Sequence, residues 1–258
     1  YGGNYKSYGP QYTRGIIEGN GVVPGGKEWV TYSMNKEDIW VSSIPVPITG
    51  TATAQANENF NTMPAGKELE LWNTYSGQWA PVRIDKAPDG TKALMLKDWD
   101  PFDYAKAERV VPAAKKLLAD FTIIPAQNNT GMLDIEFQDE KGSAAIRLTI
   151  DSTMQFKAKV GYRDKNFFKY EPNKAYHITV KLHTDTRFYT VNVNGKDVLT
   201  NLFFAPVLSV SRVVFRTGGV RRFPDADTPT DQMYDLKNTG SRDKEGAFYI
   251  TSFKTSTY

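Results

Sequence analysis

Asp134 and Glu136 stand two residues apart in the run Leu133-Asp134-Ile135-Glu136-Phe137. On a strand, that spacing sends both carboxylates to the same face. Paired carboxylates can trade a proton as general acid and base, or accept hydrogen bonds from sugar hydroxyls. They can equally be neutralised across the sheet by Arg147 or Lys181, as cross-strand charges are. A polar sheet face on which Asp134, Glu136 and Arg147 together meet sugar hydroxyls is compatible with either pairing.

Five tryptophans, Trp29, Trp40, Trp72, Trp79 and Trp99, offer flat apolar surface for a pyranose ring or for a core. Trp99 is the candidate for binding, because Lys97-Asp98-Trp99-Asp100-Pro101-Phe102-Asp103 reads as an acidic loop. Asp98, Asp100 and Asp103 supply the ligand type that Ca²⁺ takes, as do Asp225, Asp227, Asp231 and Asp235. Neither set has the glycine and distal glutamate of an EF-hand loop, so a solvated acidic loop stands beside each. Ca²⁺ is the one ion these loops suggest; no other cofactor is expected, and the identity of any metal is left unassigned. His177 and His183 share one strand face but lie about 20 Å apart along it. They cannot hold one metal.

Composition removes other chemistry. The 258 residues contain no cysteine and two histidines, which excludes disulfides and thiolate nucleophiles and leaves little for zinc or for Ser-His-Asp catalysis. Lys and Arg number 32 against 29 Asp and Glu, with no basic stripe, so a nucleic-acid partner is not expected. No apolar run approaches the ~18 residues of a membrane span. The opening Tyr1-Gly2-Gly3 has no signal-peptide character, and the chain is expected to begin inside a longer precursor.

The elements that must position these residues are strands. Residues 119–217 form a ladder of short alternating segments. Its firmest point is the hairpin 188–200, whose Asn194-Gly195 tip supplies the two positive φ angles of a type I′ turn. Before the ladder, 69–72, 79–84 and 93–96 read as strands, and little or no helix is expected even at 113–118, where Pro112 would suit a first turn. After it, 221–245 is a polar connection of about 25 residues, long for a compact domain, and 248–253 is a last strand. At the amino end, 28–33 and 38–42 read as two strands closed by Ile44-Pro45-Val46-Pro47. The expected fold is all-β: a two-sheet antiparallel sandwich over 67–258, a linker or edge strand at 49–66, and a β-hairpin extension at 1–48.

The strand order, together with Tyr176-His177-Ile178-Thr179-Val180 and the hairpin Tyr189-Thr190-Val191-Asn192-Val193-Asn194-Gly195-Lys196, resembles the concanavalin A-like, laminin G-like jelly rolls. Retaining glucanases of that fold carry Glu-x-Asp-x-Glu on one strand, the two glutamate carboxyls ~5.5 Å apart, the first as nucleophile and the last as acid/base. The matching positions here begin with Met132, and a thioether cannot attack the anomeric carbon. Residues 28–48 resemble the end of a sialidase-like BNR-repeat β-propeller from large secreted polysaccharide-processing proteins of Bacteroidetes and their relatives. The resemblances imply a secreted, periplasmic or cell-surface bacterial protein. They imply polysaccharide or oligosaccharide as the partner, together with an upstream propeller of the same precursor. The chain itself would be a non-catalytic carbohydrate-binding or structural module. The alternative is a glycoside hydrolase or polysaccharide lyase that uses Asp134 and Glu136.

Overall fold

The computed structural model describes residues 10–16, 27–34, 38–45, 52–66, 69, 71–77, 79–100, 104–127, 130–218 and 244–258. The chain divides into two compact units, Tyr1–Thr51 with Val220–Ser241, and Ala52–Gly219 with Arg242–Tyr258. Asp103, Asp225, Asp227, Asp231 and Asp235, and most of the 221–245 connection, lie outside the described residues.

The first unit contains an antiparallel sheet in the order β1 (Pro10–Ile16), β2 (Lys27–Met34), β3 (Asp38–Pro45). Tyr32 lies opposite Trp40, and its hydroxyl meets the Ser42 hydroxyl at 2.9 Å. Two of these strands were expected. β1 was not, because the Gly- and Tyr-rich stretch around it lacks alternation.

The second unit is a sandwich of two antiparallel sheets. One has seven strands in the order β13 (Arg163–Lys169), β12 (Gln155–Val160), β11 (Ala144–Ile150), β10 (Leu133–Gln138), β17 (Val210–Thr217), β8 (Ala105–Ala114) and β5 (Trp72–Ser76). The other runs β16 (Lys196–Leu202), β15 (Phe188–Val193), β14 (Tyr176–His183), β9 (Lys116–Pro125), β18 (Gly246–Thr257), β7 (Lys92–Asp98) and β6 (Val82–Lys86). The short β4 (Asn57–Asn59) joins this second sheet by pairing with β18. This is the expected all-β jelly-roll sandwich, and among the described residues the helical content is one 3₁₀ turn at Phe60–Thr62. The stretch around Pro112 is extended as β8.

Alternation dictates the core. Leu133, Ile135 and Phe137 of β10 are fully buried between the sheets, while Asp134 and Glu136 take the outer face. Phe121, Phe215 and Phe253 come from β9, β17 and β18 and meet edge to face, Phe121 to Phe215 at 5.4 Å and Phe215 to Phe253 at 5.9 Å. Trp72 adds its ring to Phe253 at 5.5 Å. The Asn194-Gly195 tip adopts φ of 52° and 85°, so β15 and β16 pair through a two-residue turn. A Cβ on Gly195 would touch nothing within 4 Å, so Gly195→Ala tests the backbone alone. We expect a loss of roughly 1 kcal/mol in urea unfolding.

Candidate functional site

The outer face of the seven-stranded sheet is built by register. Asp134 lies opposite Thr149 on one side and Arg216 on the other, and Glu136 opposite Arg147 and Val214. The next strand adds Glu108 opposite Val214, with Lys106 opposite Arg216. Carboxylates, guanidinium groups and a hydroxyl thus gather from β8, β10, β11 and β17, because alternate residues of these strands face outward and, Val214 apart, those that meet here are polar.

Their bonds are specific. Arg147 Nε donates to Glu136, whose second oxygen accepts from the Gln138 amide. The Thr149 hydroxyl donates to Asp134 at 2.6 Å. Glu108 is held by Lys106 at 2.6 Å and Arg212 at 3.3 Å. Asp134 is only 4% exposed, and that burial, aided by the neighbouring Glu136 charge, raises its carboxyl to about 6; the Thr149 hydrogen bond, Arg147 and Arg216 pull the other way. Removing the carboxylate from water outweighs every favourable contact it makes.

Two aromatic rings flank this pair. Arg216 stacks on Tyr104 with its guanidinium carbon 3.9 Å from the ring centre, and Tyr104 lies 5.0 Å from Tyr75. On the other side Arg147 faces Phe204 at 5.4 Å, and Phe204 remains 38% exposed. The arrangement can bind. It offers aromatic surface and guanidinium N–H donors on one face, above carboxylates that are buried and already bonded.

The structure brings together Asp134, Glu136 and Arg147, and it sets two other candidates apart from them. Lys181 does not neutralise the pair: β14 belongs to the other sheet, where its Nζ sits 4.4 Å from the Tyr258 ring. Trp99 does not join it either. It follows β7 of the other sheet, half-buried, with Lys97 Nζ 5.6 Å from its ring and its backbone N–H donating to the Trp79 carbonyl at 3.0 Å. Of the proposed calcium loop, Asp100 is buried and its N–H donates to Asp98 at 2.9 Å. Among the described residues no three His, Asp or Glu side chains gather as metal ligands. His177 lies 2.8 Å from Asp120, and His183 lies 3.6 Å from Asp185.

Tyr104, Phe204, Arg216 and Thr149 were missed in the sequence. Only Thr149 had a local signal, its place in the alternating run 146–150; the others reach the site through pairings and loops distant in the chain.

A solved sialidase is 47% identical over 100% of this chain with a TM-score of 0.87, and the match covers 23% of that protein, so the chain spans under a quarter of it. The apo Crh5 transglycosylase shares 14% identity with TM-score 0.55, covering 81% of this chain and 86% of that one. The Bacillus licheniformis β-glucanase shares 13% with TM-score 0.52, covering 81% and 100%. These two likenesses show the fold alone. No curated protein matches. Residues 72–232 match the family described as sialidase-like, CBM domain, and the chain belongs to that family.

Proposed function

We propose that the second unit is a non-catalytic carbohydrate-binding module, and that its contact surface is the outer face of the seven-stranded sheet around Arg147. The carrying observation is how Glu136 is held: Arg147 and Gln138 occupy its two oxygens, while Arg147 spends only Nε on it. The terminal guanidinium nitrogens, beside the exposed Phe204 ring, are donors for sugar hydroxyls. Met132, half-buried just before β10, stands where a glucanase nucleophile would be. Catalysis by this face would have to start without that group.

The test is binding of a polysaccharide panel by calorimetry. Arg147→Ala is expected to weaken binding of whichever glycan binds about tenfold, the effect of losing one charge-assisted contact. Unchanged affinity sinks the assignment. Asp134, which holds its proton to about pH 6, favours a second reading as a general acid, with Glu136 as partner, in a glycoside hydrolase or lyase. Turnover of any polysaccharide that Glu136→Gln abolishes would establish this second reading instead. We further propose that the module belongs to a secreted or cell-surface bacterial protein and follows a BNR-repeat propeller whose last blade includes the β1–β3 sheet. Propeller repeats in the upstream reading frame would support that placement, and their absence would overturn it.

A further inference from the structure

One row of side chains crosses the whole seven-stranded sheet on its outer face. Register carries it from Tyr75 on the edge strand β5 through Lys106, Arg216, Asp134, Thr149 and Lys157. It ends at Asn166 on β13, the opposite edge strand. Every member is polar, and the row runs out of the sheet at both edges.

Aromatic rings stand at two places along this face. Tyr75 and Tyr104 lie together at the β5 end, half-buried, with ring centres 5.0 Å apart. Phe204, 38% exposed, lies over Arg147 of β11. Four strand spacings separate β5 from β11 in the sheet order, which sets the two aromatic surfaces about 19 Å apart across the strands. Arg147 is two residues from Thr149, so a path between the surfaces stays within about 7 Å of the row. The strand spacing is close to the length of one pyranose residue, so a glycan laid across the strands advances about one sugar per strand. A single sugar reaches one aromatic surface or the other. About five in succession are needed to stack on both.

Given the Arg147 face as the glycan contact proposed above, we infer that it takes an internal stretch of a polysaccharide, about five sugars long and laid across the strands. Tyr75 with Tyr104 is one stacking surface and Phe204 the other. Because the row ends at the two edge strands, sugars on either side of that stretch pass beyond the sheet. The experiment takes the polysaccharide that binds in the calorimetric panel, cleaves it by partial acid hydrolysis, and titrates sized oligomers of one to eight sugars into the protein. Affinity is expected to rise about tenfold between the dimer and the pentamer and to level off beyond the hexamer. Phe204→Ala and Tyr104→Ala should each weaken hexamer binding about tenfold and remove that rise, whereas Tyr104→Phe keeps the ring and should bind like wild type. A monomer or dimer that binds as tightly as the hexamer would overturn the inference, as would a rise that survives both alanine variants. If Arg147→Ala still weakened binding in that case, the face itself would stand. Should no polysaccharide of the panel bind, the face and its chain-length preference fall together.

Discussion

Glu58→Ala is expected to lower the unfolding free energy by roughly 3–5 kcal/mol, the range for stranding one member of a buried ion pair. Arg109 shares its strand face with Ala107 and Val111, both in the core, so its guanidinium points between the sheets. Glu58 reaches it from β4 on the opposite sheet: one carboxylate oxygen accepts from Nε at 2.8 Å and Nη2 at 2.6 Å, while Nη1 donates to the Val110 carbonyl. The side chains are 5% and 12% exposed. Burial nonetheless lifts the Glu58 carboxyl above its usual range, against the pull of Arg109. The pair therefore adds less stability than its removal would subtract. Glu58→Gln, whose amide oxygen still accepts from Arg109, should lose less than Glu58→Ala. The double variant Glu58→Ala with Arg109→Met should recover most of the loss. Urea unfolding measures all three, and a loss below about 1 kcal/mol for Glu58→Ala would refute the argument.

Asp134→Asn is expected to stabilise the protein above pH 6, by up to roughly 3 kcal/mol. The folded carboxyl releases its proton at about 6, against the usual 3.8. Between those values the folded state holds more protons than the unfolded one, so stability falls as pH rises. The contribution is fully present below about pH 4 and lost through pH 6. Asparagine carries no charge to desolvate, and its amide oxygen can still accept from Thr149. The variant's stability should lack that fall, while the wild type loses stability between pH 4 and 6.5. If Asp134→Asn is less stable than wild type at pH 8, burial does not dominate this carboxyl.

The legible parts of the fold were those with local causes. Asn194-Gly195 specifies its own turn, and the alternation of Leu133, Ile135 and Phe137 with Asp134 and Glu136 separates the two faces without reference to any partner. β13 escaped notice because an edge strand exposed along Arg163 to Asn166 has no buried face to alternate. β8 was ambiguous because its alanines suit helix as well as strand, and only pairing with β5 and β17 decides it. The candidate site shows the same division. Glu136 with Arg147 follows from one hairpin, whereas Arg216 meets Asp134 only because β17 crosses to β10; between the sheets, away from the site, Glu58 likewise meets Arg109 only because β4 belongs to the opposite sheet. No property of either residue announces such a meeting.

The position of β18 bears on how the sandwich comes into being. It is the last strand of its unit in sequence, yet it sits in the interior of the eight-stranded sheet, between β9 and β7, and also holds β4. During vectorial synthesis β7 and β9 emerge early with an unfilled gap between them, their ladder groups and the faces that will meet Phe253 left open. The sheet closes only when residues 246–257 arrive. Closure is therefore a late, long-range step, as expected of slow-folding β topologies, and the interval before it is when the unpaired edges are exposed to other chains.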